Sequence, residues 1–147
     1  MSKQMITCVM ILISSSGLSV QDNPREKHPL GVSFYGGGPA FFASASVDYF
    51  VLSTVSLDVG GGLFGVYGGG RYHFKGVNPD KRWTFYTGLI YGRYGEAVGV
   101  DQMFFLPLGF NYIGGKRFNF SIEMLVLGEY GAYIIPVWPG VKFGYRF

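Results

Sequence analysis

Ser56, Asp58 and His73 supply a nucleophile, an orienting acid and a general base, the residue types of a serine hydrolase. Ser56 and Asp58 are two apart, so on an extended segment they share one face, and His73 must come from a neighbouring segment. The histidine falls close to the end of its own segment, which leaves the geometry of a triad unforced. A second chemical pattern is Gly60-Gly61-Gly62-Leu63-Phe64-Gly65, which fits G-x-G-x-x-G, with Asp80 following about 20 residues later. A dinucleotide site needs a helix to open there, because the helix N-terminus holds the pyrophosphate. Val66 to Phe74 instead alternates like a strand and carries three further glycines, so the pattern reads as a glycine-rich strand with crowded neighbours.

The remaining motifs are weaker. Gly114-Gly115-Lys116 resembles the end of a phosphate loop, but Arg117 stands where a serine or threonine is needed. It reads as a hairpin whose two glycines supply positive φ. Asn119-Phe120-Ser121 has the letters of a glycosylation sequon and falls inside a strand-like run. The only histidines are His28 and His73, and Cys8 is the sole cysteine, so neither a clustered metal site nor an internal disulfide is expected. No cofactor is expected. The basic residues are scattered, so no nucleic-acid partner is expected either. What remains is a set of isolated charges of both signs, Asp48, Asp58, Arg71, Glu123, Lys142 and Arg146, each on the small, polar side of an alternating run.

Those runs must position the charges. The chain has 147 residues, enough for one domain. Residues 1–20 have the layout of a secretory signal peptide: Lys3, an apolar stretch from Met5 to Ile13, then Ser14, Ser15, Ser16 and Gly17 before a cut between Ser16 and Gln21. Cys8 lies in that apolar stretch, and Met5-Ile6-Thr7 before it is not the small-residue context of a lipid-acceptor cysteine. Residues 21–29 are polar, contain two prolines and read as a flexible periplasmic leader. Residues 30–147 alternate with period two rather than the helical 3.6.

Eight strand-like runs are predicted, at Leu30–Gly37, Phe41–Phe50, Ser53–Leu63, Val66–Phe74, Trp83–Arg93, Met103–Ile113, Arg117–Leu127 and Trp138–Phe147. Phe50–Ser53 and Gly114–Lys116 are tight connections, and Lys75–Arg82 is a polar linker with Asn78-Pro79-Asp80 as its turn. The opposite connections include two longer loops, Tyr94–Gln102 and Gly128–Val137.

Phe118, Phe120, Ile122, Met124 and Val126 share one face, against Asn119, Ser121 and Glu123 on the other. Val141, Phe143, Tyr145 and Phe147 oppose Lys142, Gly144 and Arg146 in the same way. Only 14% of the residues are charged, against about 25% in a soluble domain. The polar faces of Gly, Ser and Asn are too small and too poorly charged to be a wetted exterior. They suit the cramped interior of an eight-stranded barrel, which side chains fill.

The apolar faces are each about ten residues long, the length of a tilted strand across a bilayer. A sheet in lipid must close, because no water satisfies a free edge. Aromatics sit at both ends of the runs, with Tyr49, Phe74, Trp83, Tyr112, Phe118 and Phe147 at the short-turn end. Phe41, Phe64, Tyr91, Phe104, Tyr133 and Trp138 lie at the long-loop end. Such positions suit two interfacial girdles. The expected fold is an all-β, eight-stranded antiparallel up-and-down transmembrane β-barrel.

With a signal-like leader, repeated alternating strands and the terminal strand Val141-Lys142-Phe143-Gly144-Tyr145-Arg146-Phe147, the chain resembles the small porin-like outer-membrane β-barrel proteins of Gram-negative bacteria, the OmpA- and OmpX-like eight-stranded class. The resemblance covers residues 30–147. It implies an integral outer-membrane location reached through a cleaved signal peptide, with outer-membrane lipid as surroundings. It also implies that Val141, Phe143, Tyr145 and Phe147 form the strand read by the barrel-assembly machinery.

The expected role is structural or interactive, beside a larger membrane complex, with the lumen plugged by charged pairs. A narrow passive pore for small solutes or ions is the alternative, and a lipid-modifying enzyme the second alternative. Eight-stranded lipid hydrolases carry their catalytic residues at the loop end, whereas His73 maps to the short-turn end, so no enzyme is expected. The loops offer Tyr94, Glu96, Asp101, Glu129, Tyr130 and Tyr133 as an exposed partner surface.

Overall fold

Alternation that separates apolar from small polar residues leaves the chain one economical arrangement, a sheet rolled with its polar face inward. The computed structural model describes residues 23–74, 82–95, 101–127 and 137–147. It has eight strands: β1 Leu30–Gly37, β2 Ala43–Leu52, β3 Val55–Gly62, β4 Gly65–His73, β5 Trp83–Tyr94, β6 Gln102–Ile113, β7 Phe118–Leu127 and β8 Val137–Arg146. Each pairs antiparallel with its sequence neighbours, and β1 pairs with β8 from Gly31↔Arg146 to Gly37↔Gly140. The result is a closed barrel in sequential strand order. Phe147 donates its backbone N–H to the Leu30 carbonyl at 2.8 Å, so first and last strands meet at the short-turn end.

Burial follows residue parity along the strands, with breaks at strand ends such as Leu52 and Gly62. On β6 the exposed residues are Phe104, Leu106, Leu108 and Phe110, and the residues between them are buried. On β7 Phe118, Ile122, Met124 and Val126 are exposed, whereas Asn119, Ser121 and Glu123 are buried. The outside of the barrel is thus its apolar side.

Both ends of the lumen are occupied. At the short-turn end one turn of helix, α1 Pro24–Lys27, starts at Asn23, whose side chain accepts from the Arg25 N–H at 3.2 Å and donates to Glu26 at 3.2 Å. This part of the leader, read from sequence as flexible, is therefore ordered, and Arg25 is only 1% exposed. At the opposite end the β1–β2 connection turns inward as a 3-10 turn, Gly38–Ala40, that touches β2, β3, β4, β5, β7 and β8. Gly37 and Gly38 hold φ of 73° and 68°, a region that glycine enters without cost. Gly140 must also lack a side chain, because an added Cβ would meet the Gly38 Cα at 2.9 Å.

The β6–β7 hairpin differs from its sequence reading. Neither Gly114 nor Gly115 has positive φ; Arg117 does, at 66°. Gly114 donates to Phe118 O at 2.8 Å and Arg117 to Gly114 O at 3.0 Å, which places the left-handed residue third in the loop rather than at the glycines. The linker turn at residues 78–80 and the leader segment 1–20 lie outside the described residues.

Candidate functional site

The inward face of the barrel is layered. Toward the loop end it is apolar, with Tyr35, Tyr67, Ile90, Tyr94, Met103, Phe105 and Leu125 buried around Ala40. Phe41 and Trp138 pack on this cluster, and Trp138 Nε1 donates to the Phe41 carbonyl at 3.1 Å. Tyr94 belongs here. The sequence reading placed it on an exposed loop, but β5 runs one residue past Arg93, and that extra residue turns inward. Its hydroxyl donates to the Pro39 carbonyl, and it is 6% exposed.

Toward the short-turn end the lumen is charged. The structure brings Asp48, Asp58, Arg71, Glu123, Lys142 and Arg146 into one alternating chain. Arg146 Nη1 donates to Asp48 Oδ2 at 2.6 Å, Lys142 Nζ reaches Asp48 Oδ1 at 3.0 Å and Asp58 Oδ1 at 3.2 Å, and Arg71 Nη1 pairs with Asp58. Arg71 Nη2 then meets Glu123 Oε2 at 3.4 Å. All six are buried, and every acid lies against at least one base. Charges this dry are tolerated only when paired and hydrogen-bonded.

Neutral groups extend the network, although Arg71 Nε and Glu123 Oε1 are buried without a hydrogen-bond partner among the described residues. Tyr86 donates to Glu123 Oε2 at 2.5 Å. Arg146 also donates from Nε to His28 O at 2.8 Å and from Nη2 to Pro29 O at 2.6 Å, so the last strand is tied to the leader. Its guanidinium lies 4.5 Å from the centre of the Phe50 ring, within cation–π range. Gly31 makes room for this pair: a Cβ there would meet Asp48 Oδ1 at 2.8 Å and Arg146 Nη1 at 3.0 Å.

Arg25 enters from α1 and donates from Nη2 to Thr84 Oγ1 at 2.9 Å and Asn111 Oδ1 at 3.3 Å. Burial, reinforced by Arg146, pulls its guanidinium down to about 10. Asn111 passes the contact on to Asn119 at 2.6 Å and Ser121 at 3.0 Å. A polar cavity of about 20 Å³ remains between these groups and the charged chain, room for about one water. The helix had a sequence signal, since Asn23-Pro24-Arg25-Glu26 sets a capping residue before a proline and an acid at the third helical position.

The other candidates resolve by geometry. Ser56 Oγ and His73 Nε2 lie 3.0 Å apart, but His73 Nδ1 faces Thr84 Oγ1 at 3.3 Å, not a carboxylate. Asp58 is committed to Arg71 and Lys142. The triad drawn from sequence is therefore not assembled. Gly65 opens β4 rather than a helix, and Asn119 is buried within β7. Phe143, Tyr145 and Phe147 are exposed outward, with Phe143 against Phe120 at 5.2 Å and Tyr145 against Phe147 at 5.2 Å, and Val141 shares their side of β8. Asp101 is exposed; Glu96, Glu129, Tyr130 and Tyr133 lie outside the described residues.

Fold and lumen together define a class, the closed eight-stranded antiparallel up-and-down barrel with a filled, charged interior. Compared with family models, curated proteins and solved structures, the chain matches none.

Proposed function

We propose that this chain is an integral membrane barrel of the outer-membrane type, acting as a plugged scaffold rather than as a catalyst. The observation that carries the reading is the inversion of polarity: exposed apolar residues cover the outside while the charged residues of the strands lie largely within. A water-soluble monomer rarely exposes a contiguous apolar patch above a few hundred Å². Here Phe34, Val59, Leu89, Phe110, Ile122 and Phe143, from six different strands, are all exposed. Lipid is the solvent for which such a surface is suited, and closure of the sheet meets its demand for a saturated backbone. Trp83 against Tyr112 at 4.8 Å and Tyr91 against Phe104 at 5.0 Å sit near opposite ends of the strands, as interfacial rings do.

On this reading the protein travels to an outer membrane behind residues 1–20, and Val141, Phe143, Tyr145 and Phe147 present its last strand to an assembly machinery. It then serves in contact with a larger complex. The polar cavity favours a second reading, a narrow pore opened by exchange of ion-pair partners. Two measurements on the refolded protein test these readings. Association with lipid vesicles that survives an alkaline wash is expected, and its loss overturns the membrane reading. In a planar bilayer the inserted barrel is expected to pass no discrete current. Conductance steps would replace the scaffold with the pore.

A further inference from the structure

Arg117 occupies a backbone position that glycine would fill more easily. Its φ is 66°, and two glycines lie within three residues of it in the same turn, yet the chain places an arginine there. Strain kept at an exposed position points to a use for the side chain. Two other cations share this rim. Lys116 precedes Arg117 in the turn, and a Cβ on Gly115 would lie 3.8 Å from Arg82 Nη2, so the Arg82 side chain reaches over the hairpin. Arg82 also accepts a backbone bond from Ile113 at 2.9 Å, which fixes its backbone beside the end of β6.

All three residues are exposed, and none of their side chains takes an ion-pair partner among the described residues. His28 lies in the same field: its imidazole is held below its usual range by partial burial and by Arg117, Lys27 and Arg146. The cations border the exposed rings of Trp83 and Phe118, where the apolar band of the barrel ends. At the same end α1 adds Lys27 and one acid, Glu26, whose carboxylate accepts from Asn23, so the exposed described charges there are mainly basic, whereas at the opposite rim they are one of each sign, Arg93 and Asp101.

We infer that the short-turn rim, through Arg82, Lys116 and Arg117, binds the headgroups of anionic phospholipids. The inference rests on the membrane reading above. Charge complementarity and continuity with the apolar band select this partner: a phosphate beside the band meets an arginine fork with its chains already alongside Phe118 and Trp83. Arginine suits the task because its planar guanidinium binds phosphate through two parallel bonds.

Trp83 and Trp138 are the only tryptophans and stand toward opposite ends of the barrel, which makes the test direct. The full chain carrying W138F is refolded into phosphatidylcholine vesicles containing either bromine-labelled phosphatidylglycerol or bromine-labelled phosphatidylcholine. Trp83 fluorescence is expected to be quenched preferentially by the anionic lipid, with a relative association constant raised about fivefold for each cation engaged. The preference is expected to fall with added salt and to vanish in R82Q/K116Q/R117Q. Equal quenching of Trp83 by the two lipids overturns the inference and leaves the membrane reading intact. Quenching by neither lipid overturns both.

Discussion

Asp48 and Asp58 stand directly opposite each other across the β2–β3 register, and Lys142 Nζ lies between them, 3.0 Å from one carboxylate and 3.2 Å from the other. Like charges at facing positions of a sheet repel. Here the repulsion is cancelled by an ammonium delivered from β8, on the far side of β1, and Arg146 and Arg71 complete the compensation at the two outer oxygens. The arrangement works only if the sheet closes, since β8 comes within reach of β2 and β3 only by pairing with β1. Barrel closure and charge pairing are therefore one event.

Removing that central cation should be severe. Lys142→Met leaves two buried carboxylates facing each other, each with one remaining base. Breaking such a buried network by removing one partner costs about 3–5 kcal/mol. Denaturant unfolding of the refolded barrel measures it. Adding Asp58→Asn to the same chain should recover part of the loss, because it removes the repulsion that the missing lysine exposed. No recovery would show that Lys142 acts through packing against the Tyr35 ring, 5.9 Å away, rather than through charge.

The outer face supplies a test of the solvent. Ile122 is 52% exposed and lies midway along β7. If lipid surrounds it, Ile122→Arg lowers stability in vesicles by about 2–4 kcal/mol. In water the same substitution on an exposed strand residue would be close to neutral. Unfolding titrations in vesicles decide between the two, and a harmless arginine at this position is incompatible with a membrane face.

Arg117→Gly should separate stability from binding at the short-turn rim. Left-handed backbone costs a non-glycine residue about 1 kcal/mol, and glycine removes that cost. The variant is expected to be more stable by roughly this amount while losing part of the anionic-lipid preference. If stability does not rise, the turn is not strained and the argument for a retained side chain weakens.

The same arginine sets the proton affinity of a neighbour. His28 is held below its usual range by partial burial first, then by Arg117, Lys27 and Arg146. A base that binds protons less readily when folded contributes stability that is fully present above its unfolded pKa of about 6.5 and is lost as the pH falls below that value to the lowered folded one. Arg117→Gln should move the His28 imidazole up toward its ordinary value and shallow that part of the acid slope. Imidazole proton shifts followed by NMR against pH report it. An unmoved titration would place Arg117 too far away to act.

The strands and the six lumen charges were legible because period two and residue size agree wherever small polar residues alternate with apolar ones: Lys142 and Arg146 sit between Val141, Phe143 and Tyr145, so parity alone turns them inward. The apolar half of the lumen was not, because on β5 and β6 both faces are apolar at the loop end. Ile90 lies between Leu89 and Tyr91, and Phe105 between Phe104 and Leu106, so alternation carries no contrast there. Tyr94 was misplaced by a single residue of strand length, since a shift of one reverses the face. The left-handed residue of the β6–β7 turn was assigned to the glycines by composition, whereas loop length and register put it at Arg117. Arg25 carried a helix-capping signal, but its burial depends on a lumen that only the closed sheet creates.

The two closures of the lumen are independent, and that predicts how the barrel must be opened. Arg25 blocks the short-turn mouth through Thr84 and Asn111, and Gly38–Ala40 blocks the loop end, where Tyr94 holds Pro39. Arg25→Ala removes only the first. The inward turn and the aromatic cluster around Ala40 stay in place, so the bilayer current should remain at baseline. Replacing Gly38-Pro39-Ala40 by a short outward loop removes only the second, and the charged chain with Arg25 still fills the lower lumen. The combined variant should be the first to conduct. Its steps should then weaken or change ion preference with Glu123→Gln, because Glu123 and Arg71 span the remaining constriction. Current from Arg25→Ala alone would mean that the 3-10 turn does not seal the loop end, and that the barrel is held shut from the short-turn side only.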